Sequence, residues 1–277
     1  MAVDRAVVSL GDSCLDVYLP PVDRVLVGGS CLSVAVRLGR HGLRAAYVGP
    51  VGGDEFGRVV LAELAAQSVD DSHVRIVDGA ATALTEIALE GEGERRFVNE
   101  SYAVHETYDP SEDDWSFVWA AQHVHASRLP RHLDGLLTLA EGGLSVSYDF
   151  GVDPLPLRLD GLAIAFVPHD VLPPGVDPVD AAHDLVARGC ECAVVTLGAG
   201  GSVAATSRGF ATVAAAPAST VVDTCGAGAA FIAAFVAARL SGKPLEQSLA
   251  DGAEAGAEAC STLGAFPQQG VTTLAER

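Results

Sequence analysis

Short apolar runs alternate along this chain with longer stretches whose apolar residues recur at helical spacing. That alternation constrains the fold more than any other feature. Residues 7–10, 45–48, 144–148, 162–167 and 192–197 are runs of strand length. Residues 31–41 place Leu32, Ala35, Val36 and Leu38 on one helical face, with Gly42 as a stop signal. Residues 56–67 do the same with Val59, Val60, Leu61 and Leu64, and residues 133–140 and 179–188 also read as helices. Strands separated by helices of this length cannot pair through tight turns, so the sheet is predicted parallel and covered on both faces. Two helices, 227–240 and 245–263, close the chain around a Gly-Lys-Pro turn.

One segment breaks the rhythm. Residues 82–89 alternate, a turn-rich acidic stretch runs from Glu90 to Glu94, and residues 95–98 follow it. This predicts a β-hairpin with a solvated tip, inserted at about 82–98 in a single domain spanning 1–277. A hairpin there can cover a ligand at the carboxyl ends of the parallel strands, where open α/β sheets bind ligands.

Composition narrows the function classes. With 277 residues, 49% of them hydrophobic, the chain can bury a large core. Lys and Arg number 17 against 36 Asp and Glu, a formal charge of −19, which disfavours nucleic-acid and anionic membrane surfaces. The longest near-apolar run, 227–238, is shorter than the ~20 residues that span a bilayer. Residues 1–10 lack the pattern of a signal peptide. The six cysteines show no Cys-x-x-Cys spacing, so free thiols in a cytoplasmic protein are expected.

The most informative stretch is Asp223-Thr224-Cys225-Gly226-Ala227-Gly228-Ala229-Ala230-Phe231, which opens directly into a helix. The first N–H groups of a helix lack intrahelical partners, and the helix dipole adds partial positive charge there. Gly226 and Gly228 allow close approach, so the stretch suits a phosphate or a developing oxyanion.

This stretch resembles the C-terminal signature of the ribokinase (PfkB) family of carbohydrate kinases, Asp-Thr-x-Gly-Ala-Gly-Asp-Ala-Phe, at eight of nine positions. Four further segments resemble the same family: residues 11–16, residues 28–35, residues 48–57 and Val195-Thr196-Leu197-Gly198-Ala199-Gly200-Gly201. The start of the chain and the Asp149-Phe150 strand end look most like the fructoselysine 6-kinase branch.

The resemblance implies a ribokinase-like three-layer α/β sandwich with a small β lid, and ATP-dependent phosphoryl transfer to a sugar or fructosamine hydroxyl. It implies a sugar side at Asp12, Asp16, Gly28, Gly29 and Ser33. A nucleotide side would use Thr196, Gly198, Gly201, Asp223 and Thr224, with Gly226, Ala227 and Gly228 cradling the transferring group. ATP and Mg²⁺ are the implied cofactors, with K⁺ near Asp223, and the lid implies a homodimer.

Three departures accompany the match. Ala229 stands where the family carries the Asp that acts as general base. Ser30 and Ser33 replace asparagines, and a serine reaches less far and offers one donor rather than two. Pro168-His169-Asp170-Val171 lacks the Glu that helps organise magnesium in the family. Together they read as natural drift more than as one inactivating substitution. They leave an impaired kinase, a sugar- or nucleotide-binding pseudokinase and a repurposed enzyme as readings.

The remaining candidates are weaker. His123 and His125, two apart on a strand, could bind a metal or shuttle a proton, but structural roles are the more common outcome. Cys190, Cys192 and Cys225 read as packing thiols, and His169 with Asp170 reads as a surface turn.

Overall fold

The computed structural model describes residues 6–272. Along them run strands β1 (Val7–Leu10), β2 (Cys14–Tyr18), β3 (Arg24–Gly28), β4 (Ala45–Gly52), β5 (Asp70–Val77), β6 (Leu84–Leu89) and β7 (Arg95–Ser101). They continue as β8 (His123–Ser127), β9 (Val146–Asp149), β10 (Ile164–Pro168), β11 (Cys192–Thr196), β12 (Ser202–Thr206), β13 (Gly209–Val213) and β14 (Val271–Thr272). The helices are α1 (Ser30–Arg40), α2 (Glu55–Ala66), α3 (Glu112–Trp119), α4 (Leu133–Glu141), α5 (Pro178–Ala187), α6 (Ala227–Leu240) and α7 (Leu245–Ala259).

Nine strands form one sheet in the order β13-β12-β11-β10-β9-β8-β1-β4-β5, parallel from β11 to β5, with β12 and β13 antiparallel at the edge. Alternation within the strands divides the core in two. Val7, Ala45, Phe166, Val194 and Ala204 pack against α1, α6 and α7 on one face. Val8, Val48, Val124, Tyr148, Val167 and Val195 pack against α3, α4 and α5 on the other. The result is the ribokinase-like three-layer sandwich.

Helix starts follow local chemistry. Asp54 caps α2 through the Gly57 amide at 2.8 Å, Ser111 and Asp114 form a capping box on α3, and Asp177 with Pro178 opens α5.

The lid departs from the expected hairpin. β6 and β7 lie at one end of a second, five-stranded sheet ordered β14-β3-β2-β6-β7, with β7 at its edge. An isolated hairpin is marginal in water, and the inner strands β2 and β3 supply the support it needs. Those strands read poorly in sequence because nearly every residue in them is buried, so period-2 alternation is absent. The acidic tip is also not free in solvent. The Gly93 carbonyl accepts from the Thr224 amide at 3.1 Å, and Arg95 Nη1 donates to the Thr224 carbonyl at 2.8 Å. The last helix ends at Ala259, four residues short of the expected 263, and β7 runs on to Ser101.

Candidate active site

Because the central strands run parallel, their carboxyl ends share one edge of the main sheet. Asp12 follows β1, Arg128 follows β8, Asp149 ends β9 and Thr196 ends β11, so the topology alone gathers these residues.

Asp12 is the joint between β1 and α1. Its Oδ2 accepts from the Ser30 amide at 2.9 Å and its Oδ1 from the Cys31 amide at 3.0 Å. This satisfies donors at a helix start that has no side-chain cap of its own. Gly29 permits the approach: at φ 98 its backbone is left-handed, and an added Cβ would lie 2.5 Å from Ser13 Cα. The sugar-side carboxylate expected at Asp12 is thus already committed to protein donors.

Asp16 has a different environment. It projects from β2 and is 4% exposed. Among the described residues its oxygens hydrogen-bond only to thiols, Cys14 Sγ at 3.3 Å and Cys225 Sγ at 3.7 Å. Burial pushes its carboxyl up to about 7; the Cys14 thiol opposes this and the Asp223 charge reinforces it. Gly28 lies directly beneath, and a Cβ there would fall 2.1 Å from Asp16 Oδ2. The Ser33 hydroxyl is buried and has no hydrogen-bond partner.

The glycine-rich loop is held from below by Asp223. This fully buried carboxylate accepts from Tyr18 Oη at 2.5 Å, the Gly264 amide at 2.8 Å and the Cys225 amide at 2.9 Å. These three bonds pin the loop from below. Gly226 takes φ 76 as the residue before α6, and Ala227, Gly228 and Ala229 are the first three helical residues. Gly228 is exposed, and an added Cβ there would find no protein atom within 4 Å. The first amides of a helix lack intrahelical partners, which suits an anion cradle, although the Ala227 amide donates to the Thr224 carbonyl at 3.4 Å.

Thr196, half-buried, precedes the turn that holds Gly198 at φ 55 and Gly201 at φ 97. Leu197 and Gly201 close that turn by an amide-to-carbonyl bond of 2.9 Å. Asp170 is exposed on a short turn after β10, and His169 Nε2 lies 2.9 Å from the Val176 carbonyl.

The weaker candidates take the structural roles the sequence favours. His123 and His125 are buried among serines, with His123 bonded to Ser145 and Ser147 and His125 to Ser147. Burial lowers them to about 4 and about 3, so they stay neutral and hold β8 to β9. Among the described residues no group of three or more His, Cys, Asp or Glu could hold a metal ion. Cys190 and Cys192 are buried packing thiols, as the sequence suggests.

Sequence reasoning missed Arg128, Asp149 and Arg95. Arg128 adopts φ 54 and faces Asp12 Oδ2 at 3.5 Å, Glu100 Oε1 at 3.2 Å and the Tyr102 ring at 5.0 Å, so it ties the lid to the main sheet. Asp153 steadies the strained turn by accepting from the Leu129 amide at 3.2 Å and Tyr148 Oη at 2.5 Å. Asp149 is raised to about 6 by burial, against the opposing bond from the Gly151 amide. Arg128 follows β8 and Arg95 opens β7, and Asp149, at the end of β9, entered the sequence reading only as a mark of resemblance.

Comparison with known proteins agrees with this geometry. The sequence profile of the "pfkB family carbohydrate kinase" matches residues 7–140 and 176–269. Fructoselysine 6-kinase of Shigella flexneri is 33% identical over 273 residues, covering 95% of this chain and all of that protein. The Escherichia coli (strain K12) protein of the same name is 32% identical over 273 residues, with the same coverage. Among solved structures, Arabidopsis thaliana ribokinase complexed with ribose and ATP superimposes with a TM-score of 0.83 at 23% identity, covering 94% of each chain. The fold thus matches a known architecture, and this chain is a member of the pfkB family of carbohydrate kinases.

Proposed function

We propose that this protein transfers the γ-phosphoryl group of ATP to a hydroxyl of a sugar or fructosamine. The observation that carries the reading is the meeting of two sites. Cys225, in the loop that opens α6, lies 3.7 Å from Asp16, so an acceptor at Asp16 sits beside the amides of residues 227–229. The acceptor class follows from the kinship with fructoselysine 6-kinases over nearly the whole chain.

The acceptor occupies the floor made by Asp16, Gly28, Gly29 and Ser33. The nucleotide lies along Thr196, Gly198 and Gly201, with Thr224 at its near edge and its terminal phosphate on Gly226, Ala227 and Gly228. Phosphoryl transfer draws on positioning and electrostatics, which these amides supply. Among the described residues no group of three or more His, Cys, Asp or Glu could hold a metal ion, so Mg²⁺ would be held by the ATP phosphates and would offset their charge. The Ala229 methyl takes no proton, and losing a base costs ~10² to 10⁴-fold in rate unless another group serves.

A thermal-shift screen with ATP–Mg²⁺ and a panel of sugars and fructosamines tests the reading. Nucleotide at ~100 times its Kd stabilises by about 2.7 kcal/mol, which raises the midpoint by roughly 5 °C or more. A fructosamine should add to that shift. Stabilisation by nucleotide with no phosphorylated product favours a binding role. A shift with a small molecule alone and none with nucleotide contradicts the kinase reading.

The lid also supports a homodimer. β7 is an edge strand exposed along its length, and Phe97, Val98 and Tyr102 are each more than 40% exposed. Such an edge calls for cover. Sedimentation should show a dimer that Val98→Asp converts to monomer; a monomer at all concentrations would end this proposal.

A further inference from the structure

Transfer to a hydroxyl requires that a proton leave the acceptor oxygen, and position 229 offers only a methyl group. The pocket carboxylates differ in how far protein donors already occupy them. Asp12 binds two amides at the start of α1, and Arg128 lies beside it. Asp223 binds one hydroxyl and two amides. Asp54 is bonded to Thr82 and Gly57, and Asp153 to Tyr148 and Leu129. Asp149 accepts the Gly151 amide. Asp16 alone among these is buried with thiols as its only partners. Thiols are weak donors, so this carboxylate lacks the strong hydrogen bonds that buried charge requires. An acceptor hydroxyl would provide one. Gly28 lets the Asp16 carboxyl lie against its backbone, where a Cβ would fall 2.1 Å from Oδ2, and the Cys225 thiol of the glycine-rich loop lies 3.7 Å from the same oxygen.

We propose that Asp16 is a catalytic residue that accepts the proton of the acceptor hydroxyl during phosphoryl transfer, in place of the base that position 229 lacks. The inference rests on the kinase reading above. The acceptor O–H gives its proton to an Asp16 oxygen while the hydroxyl oxygen bonds to the γ-phosphorus. The bond from that phosphorus to the β,γ-bridging oxygen breaks, and its electron pair leaves on ADP. Asp16 returns the proton to water after product departs.

The groups around Asp16 are Cys14 on its own strand, Tyr18 at the end of that strand, Cys225 and Asp223 on the glycine-rich loop, and Asp12 after β1. Burial raises Cys14, Cys225 and Tyr18, so they remain neutral through the physiological range. Asp16 itself is raised to about 7, close to the strength a base needs at neutral pH. Only the ionised form accepts a proton, so kcat/KM should rise with pH through about 7.

The test measures ATP-dependent phosphorylation of fructoselysine and of D-fructose by four proteins: unmodified, Asp16→Asn, Ala229→Asp and the double variant. The unmodified protein should turn over, with the acid limb described. Asp16→Asn should lower kcat by ~10² to 10⁴-fold and abolish that limb, with its calorimetric ATP affinity and melting midpoint retained. Adding Ala229→Asp to Asp16→Asn should restore turnover. Unchanged kcat and pH profile in Asp16→Asn, or a rise in KM alone, would overturn the assignment. An inert unmodified protein beside an active Ala229→Asp would overturn it and leave the kinase scaffold standing. Inactivity of both would sink the kinase reading as well.

Discussion

Gly226→Ala should destabilise the protein by about 3 kcal/mol or more, lowering the melting midpoint by roughly 10 °C. Two independent effects add. The residue sits at φ 76, where a side chain costs about 1–2 kcal/mol. The new Cβ would also lie 2.4 Å from both Cα and the carbonyl oxygen of Ala265. That backbone cannot easily yield. The preceding Gly264 amide bonds to Asp223, and the following Phe266 ring is fully buried. Ala265 also accepts from Arg37 at 2.8 Å, which fastens the segment to α1. Relief must therefore come from the loop itself, which would pull the start of α6 out of place. Thermal unfolding followed by circular dichroism measures the effect. A midpoint within about one degree of the unmodified protein would show that the 226–265 contact is loose.

Much of the architecture could be read from residue order. The main-sheet strands with helical neighbours declared themselves through periodicity, and the glycine-rich helix start carried its chemistry on its face. The small sheet did not. Cys14–Tyr18 and Arg24–Gly28 are buried on both sides, so the alternation that marks a half-exposed strand is missing. Asp70–Val77 is an edge strand rich in polar residues, and Gly209–Val213 is a five-residue edge strand that leaves Phe210 exposed, so neither shows a buried apolar face in sequence. The eight-residue helix Glu112–Trp119 is short, and its capping box was the cue left unused.

The site was legible as a set of positions, while the division of labour within it was not. Asp12, Asp16 and Asp223 look alike in sequence. The fold assigns Asp12 to a helix start, Asp223 to a loop anchor and Asp16 to a nearly donor-free niche. Those assignments depend on partners up to 209 residues away, such as Cys225 for Asp16, and no local pattern encodes them. Arg128 was invisible for a related reason. Its backbone strain is held by Asp153 and Tyr148, which reach it from the neighbouring strand and the loop after it.

The glycine next along tests function without the complication of stability. Gly228→Val should leave the fold intact, because an added Cβ meets no protein atom within 4 Å and the residue is exposed at the second helical position. Valine is also no worse than glycine inside a helix. Its branched side chain would stand over the amides of residues 227–229, where the terminal phosphate is expected to rest. Anion binding at a helix start needs close contact with those amides, so the loss should be more than 100-fold in affinity, a cost of about 3 kcal/mol.

Calorimetric titration of ATP–Mg²⁺ into the unmodified protein and into Gly228→Val, with matched melting midpoints, tests the central claim most directly. The account predicts measurable binding by the first and none detectable by the second. Equal affinity in the two proteins would contradict the placement of the transferring phosphate on this helix start, and with it the proposed alignment of donor and acceptor across Cys225 and Asp16.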